Sequence, residues 1–269
     1  MHPIKSIISR THNIKLDNFE KTKYSKKLNS FQNIGEGKIC FVIGNGPSLN
    51  PEDLSVLHEN NIDSFAANRI YNTFNKTDWR PTYYFSEDEF VLEEILEKLN
   101  SAYINKELKN IFIPLHLNLN KNLKVKNAMY YKLLFSDLQN GKPHSDFISD
   151  DMIRGIPCRG SVAITSAQAA MFMGYKEIYL IGVDHNFSIM TDKNGNIIVD
   201  KNVKDHYGDV KNADENTKGI FNIDAATQSF IDLKAYADKK GVKIFNATRG
   251  GKLEVFPRVN FDELFNKRR

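Results

Sequence analysis

The turn Gly44-Asn45-Gly46-Pro47-Ser48 is the first place in the sequence where residue types and spacing suggest chemistry. The apolar run Cys40 to Ile43 precedes it and predicts a buried strand, and residues 51–53 follow it and suit the first turn of a helix. A strand, a glycine-rich turn and a helix can bring backbone N–H groups to a phosphate, because glycine lacks a Cβ and a helix N-terminus is partially positive. The turn is neither a GxGxxG nor a Walker loop, so a tight turn without a ligand is the alternative.

Further strands are predicted at residues 63–67, 81–85, 110–114, 177–183 and 242–246, and candidate polar side chains follow four of them. These further candidates are Asn68, Arg69, Ser86, Glu87, Asp88, Asp184, His185, Asn186, Asn246, Thr248 and Arg249. In a doubly wound sheet the carboxyl ends of the strands share one edge, and ligands bind beyond that edge. The sequence therefore predicts a polar ligand-binding cleft there.

The candidate catalytic residues are Asp184, His206 and Tyr207. His206 is a candidate general base because a histidine pKa lies near the working pH, and an exposed loop histidine is the alternative. Tyr207 is a candidate to hydrogen-bond a leaving phosphate. Asp184 and His185 could hold a divalent metal, with Glu87 or Asp88 nearby, or Asp184 could simply cap a strand end.

Four charged residues are expected to contact a phosphate or an acceptor, namely Glu87, Asp88, Arg249 and Lys252. The two basic side chains could neutralise a phosphate under any nucleotide-dependent function. Plain surface charges are the alternative for both of them.

The spacing of apolar residues predicts the elements that must position these side chains. Predicted helices cover residues 51–59, 89–99 and 223–239, a helix opened by Gly160-Ser161 and closed by Gly174, a short one near 261–265, and weaker pieces near 16–28 and 130–138. Strands that alternate with helices predict an α/β, Rossmann-like fold: a doubly wound, mostly parallel sheet with helices on both faces.

The domain organisation follows from changes in pattern along the chain. Residues 1–37 are polar and are predicted to form an N-terminal arm, and residues 38–269 are predicted to form the nucleotide-binding catalytic domain. Residues 188–219 have almost no periodicity, and so long an unpatterned stretch predicts a lid-like insertion.

The composition limits the classes of protein to which the chain can belong. Its 269 residues, of which 41% are hydrophobic, suffice for a globular core. The net charge of +4 and the scattered lysines give no indication of a nucleic-acid partner. Two cysteines without metal-ligand spacing, no signal peptide and no membrane-spanning run predict a cytoplasmic protein. The basic stretches Lys21 to Lys27 and Lys267 to Arg269 suggest peripheral contact with the inner face of a membrane, or solvated ends, and we expect a homo-oligomer.

Several stretches resemble a known family. They are Gly44 to Leu49, Asn68 to Tyr71, Met173 to Asp184, Asp205 to Tyr207 and Asn246 to Glu254. They look like the DUF115 family, which includes the archaeal 6-hydroxymethylpterin diphosphokinases, and the resemblance spans roughly residues 38 to 265. The first and third stretches also resemble the bacterial sialyltransferases of glycosyltransferase family 42. Those enzymes have a Rossmann-like fold, a mobile lid and a CMP-sugar donor.

The sialyltransferase resemblance implies roles for particular residues. It places Asn45 and Gly46 beside the donor phosphate or ribose, Asn68 on the nucleotide, Gly160-Ser161 near the cytosine, and His206 as the base. The full set of nucleotide-binding candidates is Gly44, Asn45, Gly46, Ser48, Asn68, Arg69, Gly160, Ser161, His185 and Asn186. The sequence departs from that family at Ser86 and Asn186, and Asp209 stands where the family has a second histidine.

Three functions are consistent with the sequence. The first is a glycosyltransferase that uses a nucleotide-sugar donor, with a CMP-sugar favoured, and a glycan acceptor to build a bacterial surface polysaccharide, with no obligatory cofactor. The second is a Mg²⁺-dependent enzyme like the 6-hydroxymethylpterin diphosphokinases, which uses ATP. The third is a nucleotide-binding module without catalysis. We favour the first because a lid that carries His206 and Tyr207 suits closure over an acceptor, and no ATP phosphate loop is recognisable.

Overall fold

The centre of the fold is a seven-stranded parallel sheet, seen in a computed structural model that describes residues 11–135, 148–191, 195–208 and 221–266. Its strands are short and mostly apolar, as expected for strands covered on both faces. In chain order the described strands are β1 (Ile39–Ile43), β2 (Asp63–Ala67), β3 (Tyr83–Phe85), β4 (Asn110–Pro114), β5 (Met129–Tyr131), β6 (Leu133–Leu134), β7 (Ile156–Pro157), β8 (Glu177–Ile181), β9 (Ile189–Thr191), β10 (Ile197–Val199), β11 (Phe221–Asn222) and β12 (Lys243–Asn246).

The strand order places a reversal of chain direction at the middle of the sheet. The order is β12-β8-β1-β2-β3-β4-β5, and Val42 of β1 pairs with Phe65 of β2 on one side and with Leu180 of β8 on the other. The chain moves one way across the sheet from β1 to β5 and the other way from β8 to β12. Such a reversal leaves a crevice at the carboxyl ends of the two central strands, where doubly wound sheets bind ligands. The predicted fold class is confirmed.

Helices cover the sheet on its two faces. The described helices are α1 (residues 11–17), α2 (Lys23–Asn29), α3 (Pro51–Glu59), α4 (Glu89–Ile104), α5 (Leu115–Lys121), α6 (Val162–Phe172), α7 (Ile223–Lys239) and α8 (Glu263–Asn266). The predicted bounds of α3 and α7 are confirmed, and α4 continues past Leu99 to Ile104. Across the part of the chain that the structure describes, we find no helix with the length and hydrophobicity needed to cross a bilayer.

Helix α6 is the most deeply buried helix segment. Every residue from Ala163 to Phe172 is buried, and the helix packs on β1 and β2 and against α7. Its alanines allow this close approach because they add little bulk between the helix backbone and the sheet. The helix ends as the sequence predicted, with Gly174 just past its last turn at a φ of +90°.

The prediction of a helix at residues 130–138 is wrong. The chain forms β5 and β6 there as far as the described residues extend, to Phe135. All three residues of β5 are buried, because α2 lies against this edge strand and Tyr24 packs edge-to-face on Tyr130. A strand covered on both faces shows no alternation of polar and apolar residues, so its pattern does not distinguish it from a helix.

The predicted lid contains regular structure that its sequence did not indicate. Strands β9 and β10 pair in antiparallel fashion, and β11 adds to β9 to complete a three-stranded sheet. These strands have only two or three residues each, which are too few to show an alternation of polar and apolar residues in the sequence. Residues 192–194 and 209–219 of the predicted lid lie outside the described residues.

Replacement of Gly174 tests the packing of the N-terminal residues on α6. A Cβ at residue 174 would approach the Cα atom of Asn33 to 3.0 Å, and φ is also in the left-handed region. We expect Gly174→Ala to lower the free energy of unfolding by about 2–3 kcal/mol. The matched control is Gly241→Ala, which has a φ of +68° but open space around its Cβ, and should lose only about 1 kcal/mol. Urea unfolding measures both, and equal losses would contradict the contact with Asn33.

Candidate functional site

The turn after β1 packs directly against the loop after β8, at the point where the chain direction reverses. Gly44 N donates to Ile181 O at 2.8 Å, and Gly46 N donates to Gly182 O at 2.9 Å. These bonds continue the β1–β8 ladder past the ends of both strands. The two loops therefore form one rigid floor for the crevice.

The Asp184 carboxylate occupies the space beside Gly46. A Cβ at residue 46 would overlap that carboxylate, and Ser48 donates to Asp184 Oδ2 from its Oγ at 2.8 Å and from its backbone N at 3.3 Å. The missing Cβ is thus explained by packing within the chain. This corrects the expectation that the turn offers its N–H groups to a phosphate, because the N–H groups of Gly44, Gly46 and Ser48 are already bonded inside the protein.

The start of α3 is also occupied, and a second correction follows. Asn50 caps α3, and the buried Asp53 in its first turn receives two bonds from Arg249, each 2.8 Å long. Arg249 binds Asp262 with the rest of its guanidinium. The helix N-terminus that the sequence assigned to a phosphate therefore holds an aspartate, and Arg249 is engaged by two carboxylates. Its role toward a ligand stays a prediction.

Asp184 and His185 lie half-buried at the end of β8, and burial shifts the pKa of each. Burial raises the pKa of Asp184, against the lowering effect of the two bonds from Ser48. Burial lowers the pKa of His185, whose ring packs edge-to-face on Phe230. The Nε2 atom of His185 lies 2.7 Å from the Oγ1 of Thr227, and that hydroxyl gives its one proton to a backbone carbonyl. The Thr227 hydroxyl therefore holds the His185 ring against α7.

The segment that carries His206 and Tyr207 lies over the β1 turn. The backbone N of Tyr207 donates to Asn45 O at 2.6 Å. Asp205 fixes the segment from the other side, since its carboxylate accepts from the N and Oγ of Ser188 at 2.7 and 2.8 Å. The structure thus brings the predicted base and its neighbour to the predicted turn, although their catalytic roles stay predictions.

Three buried oxygen atoms at neighbouring strand ends have no hydrogen-bond partner among the described residues. They are Asn68 Oδ1 after β2, Ser86 Oγ after β3 and Asn186 Oδ1 after β8. Asn68 is also held in the left-handed region, with φ of +53°, and its carbonyl accepts from Tyr84 OH at 2.6 Å. Leaving a buried polar atom unpaired costs about 1–3 kcal/mol. A ligand that binds along this edge could supply the missing partners.

The N-terminus of α6 opens on the same edge. Ser161 is the N-cap residue, yet its side chain makes no capping bond, and Gly160 before it has a φ of +73° with open space around it. Thr165 in the first turns of α6 donates to Glu87 Oε2 at 2.7 Å, which places this helix end beside the end of β3. Gly160 and Ser161 therefore lie at the predicted edge, and their contact with a ligand stays a prediction.

Glu87 has the most perturbed carboxyl group at this edge. Burial raises its pKa to about 7, while the bonds from Thr165 and Tyr131 act in the opposite direction. The folded state therefore keeps this proton up to about pH 7, whereas an unfolded chain releases it near the ordinary value of 4.5. The contribution of Glu87 to stability is fully present below pH 4.5 and is lost as the pH rises through 7.

The remaining predicted residues have partners within the protein. Arg69 pairs with Glu94 through two bonds of 3.1 and 2.5 Å, and Asp88 caps α4 by accepting from Val91 N at 2.9 Å. Lys252 contacts the site through its backbone, since its N donates to Asp184 O at 2.7 Å while its side chain is exposed. Their roles toward a phosphate or acceptor stay predictions.

The described residues do not bring together Asp184 and Asp88, the two aspartates considered as possible metal ligands. Their strands β8 and β3 are three positions apart in the sheet, a distance of about 14 Å. Within the described ranges, no group of three or more His, Cys, Asp or Glu side chains is placed to hold a metal ion. Neither aspartate is assigned here as a metal ligand, and a dependence on Mg²⁺ stays a prediction.

Sequence reasoning missed Thr165, Tyr131 and Thr227, which position Glu87 and His185. Thr165 is a polar residue inside the alanine-rich α6, where every neighbour is buried. A hydroxyl in such a position must find a partner, and that requirement could have singled it out. Tyr131 was hidden by the incorrect assignment of its segment to a helix.

The family of the chain is shown by its sequence. Residues 13–190 match the model of the family described as "6-hydroxymethylpterin diphosphokinase MptE-like", and the chain belongs to that family. The resemblance to the DUF115 family is thereby confirmed. The match begins within the predicted N-terminal arm and ends before the stretches Asp205 to Tyr207 and Asn246 to Glu254. A search of curated proteins found no match.

A solved structure shares the fold. It is described as the "MAf glycosyltransferase from Magnetospirillum magneticum AMB-1", with a TM-score of 0.50 and 14% sequence identity. The similarity covers 89% of this chain and 38% of the other. The chain thus spans well under half the length of that glycosyltransferase, and at this identity the likeness concerns the fold.

A double-mutant cycle tests the contact between Gly46 and Asp184. We expect Gly46→Ala to lower the free energy of unfolding by at least about 2 kcal/mol, because the new methyl group displaces the carboxylate. In an Asp184→Ala background the same change should lower it by about 1 kcal/mol less, since the main obstacle is gone. Urea unfolding of the four proteins measures the coupling. Strictly additive losses would show that residue 46 and Asp184 do not compete for one space.

Proposed function

We propose that the chain is a glycosyltransferase that takes a sugar from a nucleotide-sugar donor bound at the carboxyl edge of the sheet. The observation that carries the proposal is the row of unpaired buried oxygens of Asn68, Ser86 and Asn186 around the β1–β8 crevice. A ligand with several hydroxyl and amine donors, such as a ribose, a base and a sugar, supplies partners for such acceptors. The fold shared with a protein described as a glycosyltransferase agrees with this proposal.

The open N-terminus of α6 is the best place for the donor phosphate. Gly160 leaves room for a ligand to approach the backbone, and the uncapped helix end carries partial positive charge. The turn after β1, by contrast, presents the Asp184 carboxylate and bonded N–H groups. We therefore assign the phosphate to Gly160 and Ser161, and the sugar to the space between them and Asn45.

The proposed reaction is a displacement at the anomeric carbon. His206 removes the proton from an acceptor hydroxyl, whose oxygen forms the new bond to that carbon while the bond to the donor phosphate breaks and the phosphate keeps the electron pair. Tyr207 hydrogen-bonds the leaving phosphate. Both residues lie over the β1 turn through the bond from Tyr207 N to Asn45 O. A positioned base of this kind contributes about 10²- to 10⁴-fold in rate.

The remaining parts of the proposal derive from the sequence. A CMP-sugar is the favoured donor, and the acceptor is a glycan of a bacterial surface polysaccharide. We place the reaction in the cytoplasm at the inner face of the membrane, with a homo-oligomer as the active form.

The family description favours a second candidate, a diphosphokinase that transfers diphosphate from ATP to a pterin alcohol. Transfer of a diphosphate group from ATP to an alcohol usually relies on Mg²⁺ held by acidic side chains and on a cradle of backbone N–H groups. In the described residues the acids at the strand ends are spread over the sheet edge, and the N–H groups of the β1 turn are bonded internally. These two features are our reasons for proposing the diphosphokinase as the second candidate.

A comparison of nucleotides separates the two candidates. We expect CMP and CDP to raise the thermal unfolding temperature by several degrees at saturating concentration, and ATP with or without Mg²⁺ to raise it less, because a ligand stabilises the state that binds it. Asn68→Ala should abolish the shift, and Asn60→Ala, an exposed asparagine at the end of α3, should retain it. Stabilisation by ATP with Mg²⁺ alone would favour the diphosphokinase.

Replacement of His206 tests the proposed base. His206→Ala should lower the rate of sugar transfer or donor hydrolysis by about 10²- to 10⁴-fold, with the affinity for CMP changed little. His58→Ala is the matched control, because His58 is an exposed histidine on α3. A His206→Ala rate within about threefold of the wild type would exclude His206 as the base.

A further inference from the structure

Glu87 is an acidic group at the carboxyl edge for which the proposed reaction has no use. Its Oε2 atom accepts hydrogen bonds from Thr165 Oγ1 at 2.7 Å and from Tyr131 OH at 3.5 Å. Its Oε1 atom has no hydrogen-bond partner in the described ranges, and none of the ion pairs formed by described residues includes Glu87. The carboxyl plane is fixed by two hydroxyls, and one oxygen is left for a ligand.

Four groups of the described residues face Glu87. They come from β5, α6, the loop after β7 and its own loop, as Tyr131, Thr165, Cys158 and Asp88. Burial raises the pKa of both the Tyr131 phenol and the Cys158 thiol, so both stay neutral. Asp88 is exposed and caps α4.

We propose that Glu87 reads the hydrogen-bonding edge of the base of the bound nucleotide through Oε1 and selects cytosine over uracil. This inference rests on the proposed function, because it requires a nucleotide in the cleft. On this proposal, the Glu87 carboxyl distinguishes nucleotide donors that have the same sugar and phosphate groups and differ only in the base.

The chemistry of the two bases supplies the reason. Because Oε2 accepts from the Thr165 hydroxyl, we assign the proton of the neutral acid to Oε1. Cytosine presents an acceptor at N3, which matches this donor. Uracil presents an N–H at the same position, which matches only the ionised carboxylate. Burial raises the pKa of Glu87 to about 7, so both forms are accessible near neutral pH.

The position of Glu87 agrees with this role. It follows the unpaired Ser86 Oγ, and Thr165 connects it to α6 one turn beyond the open end at Ser161. Its strand, β3, lies two positions from β1, a distance of about 10 Å along the sheet edge. A nucleotide with its sugar end near Asn45 therefore reaches Glu87 with its base.

The test is the ratio of CMP to UMP affinity, measured by calorimetry between pH 6 and pH 8. The phosphate titration in this range is common to both nucleotides and cancels in the ratio. We expect the wild-type ratio to fall at least about tenfold as the pH rises, because the cytosine-binding acid form is replaced by the uracil-binding carboxylate. Glu87→Gln keeps a neutral donor at every pH, so its ratio should change less than about twofold.

Two further variants test whether the pH dependence of the affinity ratio comes from Glu87. Glu93→Gln changes an exposed glutamate of α4 in the same way and should keep the wild-type slope. Thr165→Val removes a bond that favours the ionised form, so the midpoint of the change should move to higher pH. Circular dichroism confirms the fold of each variant.

The outcomes separate this inference from the proposed function. Binding of both nucleotides with a ratio that is flat in the wild type, or equally sloped in Glu87→Gln, overturns the role of Glu87 and leaves the glycosyltransferase proposal standing. Binding of neither nucleotide at any pH overturns both.

Discussion

The close contact between Gly46 and the Asp184 carboxylate is the constraint on which the rest of the cleft depends. It fixes the separation of the loops after β1 and β8, and with it the width of the crevice between them. The loop after β12 is fitted to the same point, because a Cβ at Gly251 would approach Asp184 O to 2.9 Å and Lys252 N donates to that oxygen. Three loops from three adjacent strands thus meet at one aspartate, and little of this floor can move independently.

Around this rigid floor the protein keeps polar groups that its own chain does not satisfy. The unpaired buried oxygens of Asn68, Ser86 and Asn186 each lower stability in the absence of a partner. The apolar core offsets that loss of stability, because a continuous set of apolar side chains buries the sheet on both faces. A stable scaffold that carries an under-satisfied edge is the arrangement expected of a preorganised binding site.

The sequence predicted the parts of the fold that local pattern determines. Strands such as Asn110–Pro114 and helices such as Ile223–Lys239 were assigned with their observed bounds, because each is an uninterrupted pattern between polar residues. The sequence also predicted that the polar residues after the strands lie close together, since the carboxyl ends of parallel strands share one edge of the sheet. The sequence did not predict which group occupies the space beside Gly46, because a missing Cβ makes room equally well for a ligand or for a carboxylate of the protein. The bond between Thr165 and Glu87 joins residues 78 positions apart, and no local pattern encodes such a pair.

The wide separation in sequence of the residues that meet at the floor has a consequence for the order in which the chain acquires its structure. Ser48 bonds to Asp184 across 136 positions, and Arg249 bonds to Asp53 across 196 positions. During synthesis at about 5–20 residues per second, roughly 10–40 s pass between the appearance of Asp53 and that of its arginine partner. Throughout that interval the first strand-turn-helix unit lacks the side chains that hold it, and the buried aspartate has no counter-charge. The floor of the cleft can therefore form only after β8 and the loop that follows β12 have been synthesised.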